Sequence, residues 1–159
     1  MSPLQVSFEV VDRELRRHTF GILGTMNRRG RPHSVGLIYA VSPRGLPLRL
    51  YAMTQDRTRK AKNIASNHNV SFVVPCPRRF LGMAPPGCIQ FQGIADILPM
   101  GNPEATAAFI QTFLLRMLLD KATEIELPTE ELGEPCYIRI RPDPVIHTYG
   151  VGLSAFGVV

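Results

Sequence analysis

The chain has 159 residues, 45% of them hydrophobic and 19% charged, and carries a net charge of +5 at pH 7. That describes one domain, residues 1–159, with enough apolar material for a core and too little charge for a disordered chain. No run approaches the roughly 18 consecutive apolar residues of a membrane helix, and "MSPLQVSFEVVDRELRRH" lacks the basic-then-apolar pattern of an export signal, so a cytoplasmic protein without a membrane partner is expected.

In chain order, Phe8 to His18 reads as a short amphipathic helix, with Phe8, Val11 and Leu15 near helical spacing. "TFGILGTMN" reads as a strand and "RRGRP" as a turn. "HSVGLIYAV" is a second strand, "SPRGLP" a turn and "LRLYAM" a third strand. A helix over 57–67 follows, with an apolar seam of Ala61, Ile64 and Ala65, and then the strand "NVSFVVP". "CIQFQGIADIL" alternates as a strand with a bulge expected at Gly93. One helix is predicted over "NPEATAAFIQTFLLRMLLDKA", with Asn102 as N-cap and Pro103 at the first helical position. A mobile acidic linker, "TEIELPTEELGEP", two further strands, "CYIRIRP" and "VIHTYG", and a glycine-containing tail complete the chain. Short strands joined by turns make a mainly β fold with flanking helices, and closure into a small antiparallel barrel removes its exposed edges.

The basic residues are dispersed, and no aromatic-and-glycine signature of an RNA-binding sheet accompanies them, so no nucleic-acid partner is expected. Cys76, Cys88 and Cys136 are odd in number and far apart, which argues against a disulfide framework and against a metal site. There is no GxSxG, HExxH, P-loop or GxGxxG, the four histidines are isolated, and carboxylates gather in 124–134. No catalytic residue is nominated, and any chemistry is expected to be a cofactor's, acting on a small-molecule substrate.

One stretch stands apart. "MTQDRTRKAKN" places Arg57, Arg59, Lys60 and Lys62 at a helix N-terminus, which already behaves like about half a positive charge. Thr54 and Thr58 offer hydroxyls beside them, so the residues leave two readings open: a solvated basic helix, or a cradle for a phosphate.

Gly30-Arg31-Pro32, Thr54, Thr58-Arg59-Lys60, "SNHNVSFVV" and Gly93, in that order and spacing, resemble the pyridoxamine 5'-phosphate oxidase-like family, the FMN-binding split barrels. The resemblance covers residues 18–98 and, loosely, "CYIRIRPDPVIHTYG". It implies a six-stranded antiparallel split β-barrel of Greek-key character, and a homodimer with cofactor sites at its interface. It also implies an FMN-dependent oxidoreductase, with Thr54, Thr58, Arg59 and Lys60 on the phosphate and Ser34, Val35, Gly36 and Leu37 passing along the flavin ring. Where the oxidases carry a glutamine before the glycine equivalent to Gly93, this chain has Cys88. Gln90 is expected to share that face, and Gln92 not. The chain has no tryptophan, whereas the oxidases use one on vitamin B6, so B6 oxidation is not expected. Two alternatives stay open: a reductase using the deazaflavin coenzyme F-420, whose anionic tail would suit Arg57, Lys62, Arg78 and Arg79, and a non-catalytic flavin- or haem-binding protein.

Overall fold

The computed structural model describes residues 6–77, 86–124 and 129–151. Helix α1 (Phe8–Arg17) precedes the strands β1 (Phe20–Met26), β2 (Pro32–Val41) and β3 (Leu50–Gln55). Helix α2 (Arg59–Ser66) leads into β4 (Asn69–Cys76) and β5 (Gly87–Pro99). Helices α3 (Pro103–Phe109), α4 (Phe113–Glu124) and α5 (Thr129–Leu132) come before the long strand β6 (Pro135–Tyr149). The six strands close a barrel in the order β1-β2-β3-β6-β5-β4, every pairing antiparallel.

The two-residue period of the strands sorts their side chains. Leu23, Tyr39, Phe72, Val74, Ile89, Phe91, Ile138 and Ile140 point inward and form the barrel core. Val11 and Leu15 of α1 close one end of it, and the Tyr39 hydroxyl donates to the Leu15 carbonyl at 2.7 Å. Phe8, expected on that apolar face, is exposed. Ala61 and Ile64 of α2 are buried as expected; the third buried position is Asn63, whose amide donates to Thr25 Oγ1 at 2.9 Å, and Ala65 is exposed. A second core lies outside the barrel, where α3 and α4 cover Tyr51 and Tyr137 on β3 and β6, and Phe109 stacks on Tyr137.

Three expectations need correction. The single helix over 102–122 is two. It starts as predicted, with Asn102 Oδ1 accepting from the amides of Glu104 and Ala105. It breaks at 110–112 because Gln111 turns its amide to the Val41 carbonyl at 2.6 Å and Thr112 accepts from the Leu115 amide as a new cap. The acidic linker is not free over its second half: residues 129–132 form α5, and Leu132, Gly133 and Glu134 bond the turn after β3. "CYIRIRP" and "VIHTYG" are one strand, not two. Pro142 and Pro144 lie beyond the part of β6 that pairs with β3, and Pro142 faces the bulge between Phe91 and Gly93, so their missing N–H groups cost little. The tail after residue 151 and residues 78–85 lie outside the described residues.

Candidate functional site

One edge of β2 is left unpaired over most of its length. Strands β2 and β3 pair over only three positions, Tyr39↔Ala52 to Val41↔Leu50. Extending that register by two residues sets Leu37 opposite Thr54, but there the strands no longer pair. On its other edge β2 is paired along Pro32–Ile38 with β1. The open edge of β2 therefore faces the end of β3, where the phosphate cradle was expected.

At that end Thr54 Oγ1 lies 3.1 Å from Thr58 Oγ1, and the Thr58 hydroxyl lies within donating distance, 2.8 Å, of the Gln55 carbonyl. Thr58 occupies the N-cap position of α2, but its side chain makes no capping bond. The helix start therefore keeps unsatisfied N–H donors of its own. The two threonines and Lys60 line a cavity of about 350 Å³, together with Met53, Met100, Leu132 and Pro135. Lys60 is half-buried. Burial lowers its pKa, with a smaller opposing effect from the Cys136 thiol beside it. No carboxylate among the described residues pairs with it. Burial, above all, pushes the Cys136 thiol up to about 11, so it stands neutral beside the ammonium. This donor set suits a phosphate: two hydroxyls, a helix start and an ammonium lacking a counter-ion.

The other expected residues are distributed. Arg59 is exposed and does not line the cavity. Val35 and Leu37 turn inward and pack on the core. Ser34, Gly36 and Gln90 are exposed on the outer face. There they share more than exposure. The ladders run Gly36–Ile22–Val73–Gln90–His147 across β2, β1, β4, β5 and β6, and Ser34–Gly24–Ser71–Gln92 in the row beside it. Strands spaced about 4.8 Å apart put Gly36 roughly 14 Å from Gln90 on one continuous face. Gln90 and Gln92 both line a groove there of about 710 Å³ with Val145 and His147. The expectation that Gln92 would leave the face of Cys88 and Gln90 is thus corrected: all three have the same strand parity, and Gln92 is exposed like Gln90.

Arg57 is also corrected. Its guanidinium donates to the Glu130 carbonyl at 2.8 Å and its amide to the Leu132 carbonyl at 3.0 Å, so it anchors the α5 segment over the cavity. Lys62 is exposed, and Arg78 and Arg79 lie outside the described residues. Sequence reasoning missed Met100, Leu132 and Pro135. Each reaches the cavity through long-range contacts, such as the Gln55↔Pro135 pair, that leave no local signal.

A closed six-stranded antiparallel barrel with flanking helices, its β2–β3 pairing confined to three positions, defines a split barrel. The chain belongs to the pyridoxamine 5'-phosphate oxidase family, whose sequence model matches residues 8–126. Over 93 residues it is 30% identical to a 5a,11a-dehydrotetracycline/5a,11a-dehydrooxytetracycline reductase from Streptomyces rimosus. That match covers 57% of this chain and 63% of the reductase, less than two thirds of that protein's length. In fold it is similar to a heme storage protein from Vibrio cholerae, with a TM-score of 0.68 and 15% identity over 92% of this chain and 98% of that one. It is also similar to an F-420 reductase, with a TM-score of 0.56 and 20% identity over 86% of this chain and 94% of that one. No helix among the described residues is long and apolar enough to cross a membrane.

Proposed function

We propose that the chain is an oxidoreductase that holds FMN at the β2–β3 seam and acts on a small-molecule substrate. The observation that carries this reading is Lys60: a half-buried ammonium with no carboxylate partner among the described residues, in a cavity shared with Thr54 and Thr58. A phosphate there would offset the desolvation of the ammonium and accept from both hydroxyls. Arg59, exposed on the next residue, can add its guanidinium from the solvent side. The open edge of β2 offers the backbone groups of Ser34 to Leu37 to the polar rim of a ring system, and Met53 and Met100 give the cavity an apolar, polarisable wall. FMN, when bound, supplies the capacity to accept or deliver a hydride. The protein's own part is to grip the phosphate, hold the ring and exclude water.

The outer face of β1, β2, β4 and β5 supports a homodimer. Phe20, Ile22, Ile38, Val145 and Tyr149 expose 37–62% of their surface on these strands and on β6. A second copy seated there would cover them and bring its own Gln90 groove towards the ring. The resulting shared site would take its phosphate grip from one chain and part of its ring pocket from the other.

A second reading keeps the site and changes the cofactor to the deazaflavin coenzyme F-420, which also carries a phosphate. It is favoured by the F-420 reductase among the similar folds. The fold alone favours it less than expected from the cations, because Arg57 is already engaged with Glu130. The visible spectrum of the purified protein, with FMN or F-420 added in turn, separates the two. The expected result is a flavin band pair that sharpens and shifts on binding FMN. A single shorter-wavelength band with blue fluorescence, retained through gel filtration, would transfer the site to F-420, and a Soret band would overturn both.

A further inference from the structure

Away from the seam, the fold assembles three metal-binding side chains that no spacing in the sequence brings together. Glu14 lies on α1 and His18 is its C-cap residue four positions on, with His18 Nε2 3.5 Å from Glu14 Oε2. Cys76, the last residue of β4, points at them from the barrel wall. One donor atom from each of the three lies within 4.8 Å of the others. The helix that carries Glu14 and leads into His18 is seated. Arg16 of α1 donates to the Ser42 carbonyl at 2.7 Å, Tyr39 donates to Leu15, and the His18 amide bonds the Glu14 carbonyl at 3.2 Å.

The side chains are underused by the protein. Cys76 is only 7% exposed, and among the described residues its thiol makes a long contact, 3.6 Å, with the Val74 carbonyl of its own strand. The Glu14 oxygen away from His18 meets the exposed Arg13 at 3.6 Å, which leaves Oε2 turned towards the cluster. We propose that Glu14, His18 and Cys76 form a site for a divalent metal of the zinc class, with one coordination position left to water.

Nitrogen, oxygen and sulfur donors together are the set zinc accepts. Bonds of roughly 2.0–2.3 Å in a tetrahedron place donors roughly 3.5 Å apart, so closing the site asks for about an ångström of side-chain rotation. A thiolate, a carboxylate and a neutral imidazole around a dication sum to zero charge, which suits a half-buried position. Binding exchanges the thiol proton for the metal and releases that proton to water. The metal would tie α1 to the end of β4, beside the loop that leads to β5.

The test is titration of the full-length protein with Co²⁺, read by the thiolate-to-cobalt charge-transfer absorption, followed by displacement with Zn²⁺ and a thermal melt with and without zinc. One metal per chain and a zinc-dependent rise in Tm are expected. Cys76→Ser should abolish the charge-transfer band, and His18→Ala should weaken zinc by more than roughly a hundredfold, beyond the ~10–100-fold cost of losing an outer-shell partner. Cys88→Ser, which faces outward, should leave both unchanged. His18 lies at the rim, so its variant keeps the test usable if Cys76→Ser does not fold. No band in the folded wild type, or one that survives Cys76→Ser, would overturn the site; so would zinc affinity unchanged by His18→Ala.

Discussion

An ammonium group half withdrawn from water, with no carboxylate beside it among the described residues, is held at a cost, and Lys60 is in that position. Burial lowers its pKa below the ordinary lysine value of about 10.4. Only the protonated form attracts a phosphate. Affinity for FMN should therefore be full below the lowered pKa and fall as pH rises through it, before an ordinary lysine would lose its charge. Lys60→Arg, always charged, should bind FMN without that alkaline loss. Lys60→Ala should weaken FMN about tenfold to a hundredfold, since a charge-assisted bond contributes about 1.5–3 kcal/mol, while riboflavin, which lacks the phosphate, should be unaffected. Fluorescence titrations across the pH range check this, and equal losses for FMN and riboflavin would remove the phosphate from the site. The local part of this constellation was legible because Thr54, Thr58 and Lys60 lie within seven residues of chain. The walls were not, because Met100 and Pro135 arrive from about 40 to 80 residues away along the chain.

Elements announced themselves in the sequence where local signals decided them. Strands β1 to β5 stand out as short apolar runs set off by turns or helices, and the Asn102-Pro103 cap starts α3 where expected. The break at Thr112 and the continuity of β6 through Pro142 were illegible, since both depend on what lies across from them. Glu104 shows how an element end is fixed. One of its oxygens accepts from the Tyr51 hydroxyl at 3.0 Å, Arg49 at 2.9 Å and Arg139 at 3.2 Å, clasping the start of α3 to β3 and β6. The bond from Tyr51, with Arg49 and Arg139 behind it, holds the Glu104 carboxyl below its usual range. A lowered carboxyl pKa stabilises the fold above the ordinary carboxylate range, and that contribution is lost as pH falls through the folded value. Because the side chain is 45% exposed, screening keeps the effect modest. Glu104→Gln should cost about 1 kcal/mol, or roughly 2–4 °C in Tm at neutral pH, and the difference from wild type should vanish in acid. Melting curves at the two pH values decide it.

At the scale of the molecule, the outer face from β2 to β6 is the surface to watch. It carries Ile22, Val73 and Gln90 in one row and is flattened by Gly24, Ser34, Ser71 and Gly36. If a second copy covers this face, sedimentation at micromolar concentration should give a dimer. Ile22→Glu should then produce a folded monomer that binds FMN weakly, because part of the ring pocket is lost with the partner. A wild-type monomer with tight FMN binding would refute the shared site. The position of β6 has a different consequence, for the order in which the molecule is made. It is the last of the six described strands to emerge, yet it sits between β3 and β5 and supplies the pairing that closes the cylinder. Until it has left the ribosome, the five earlier strands form an open sheet with β3 and β5 as bare edges, each a template for pairing with another chain. The α3–α4 pair, synthesised just before β6, can already lie over the outer side of β3, so these helices act as a shield for the nascent sheet as well as a lid on the finished second core.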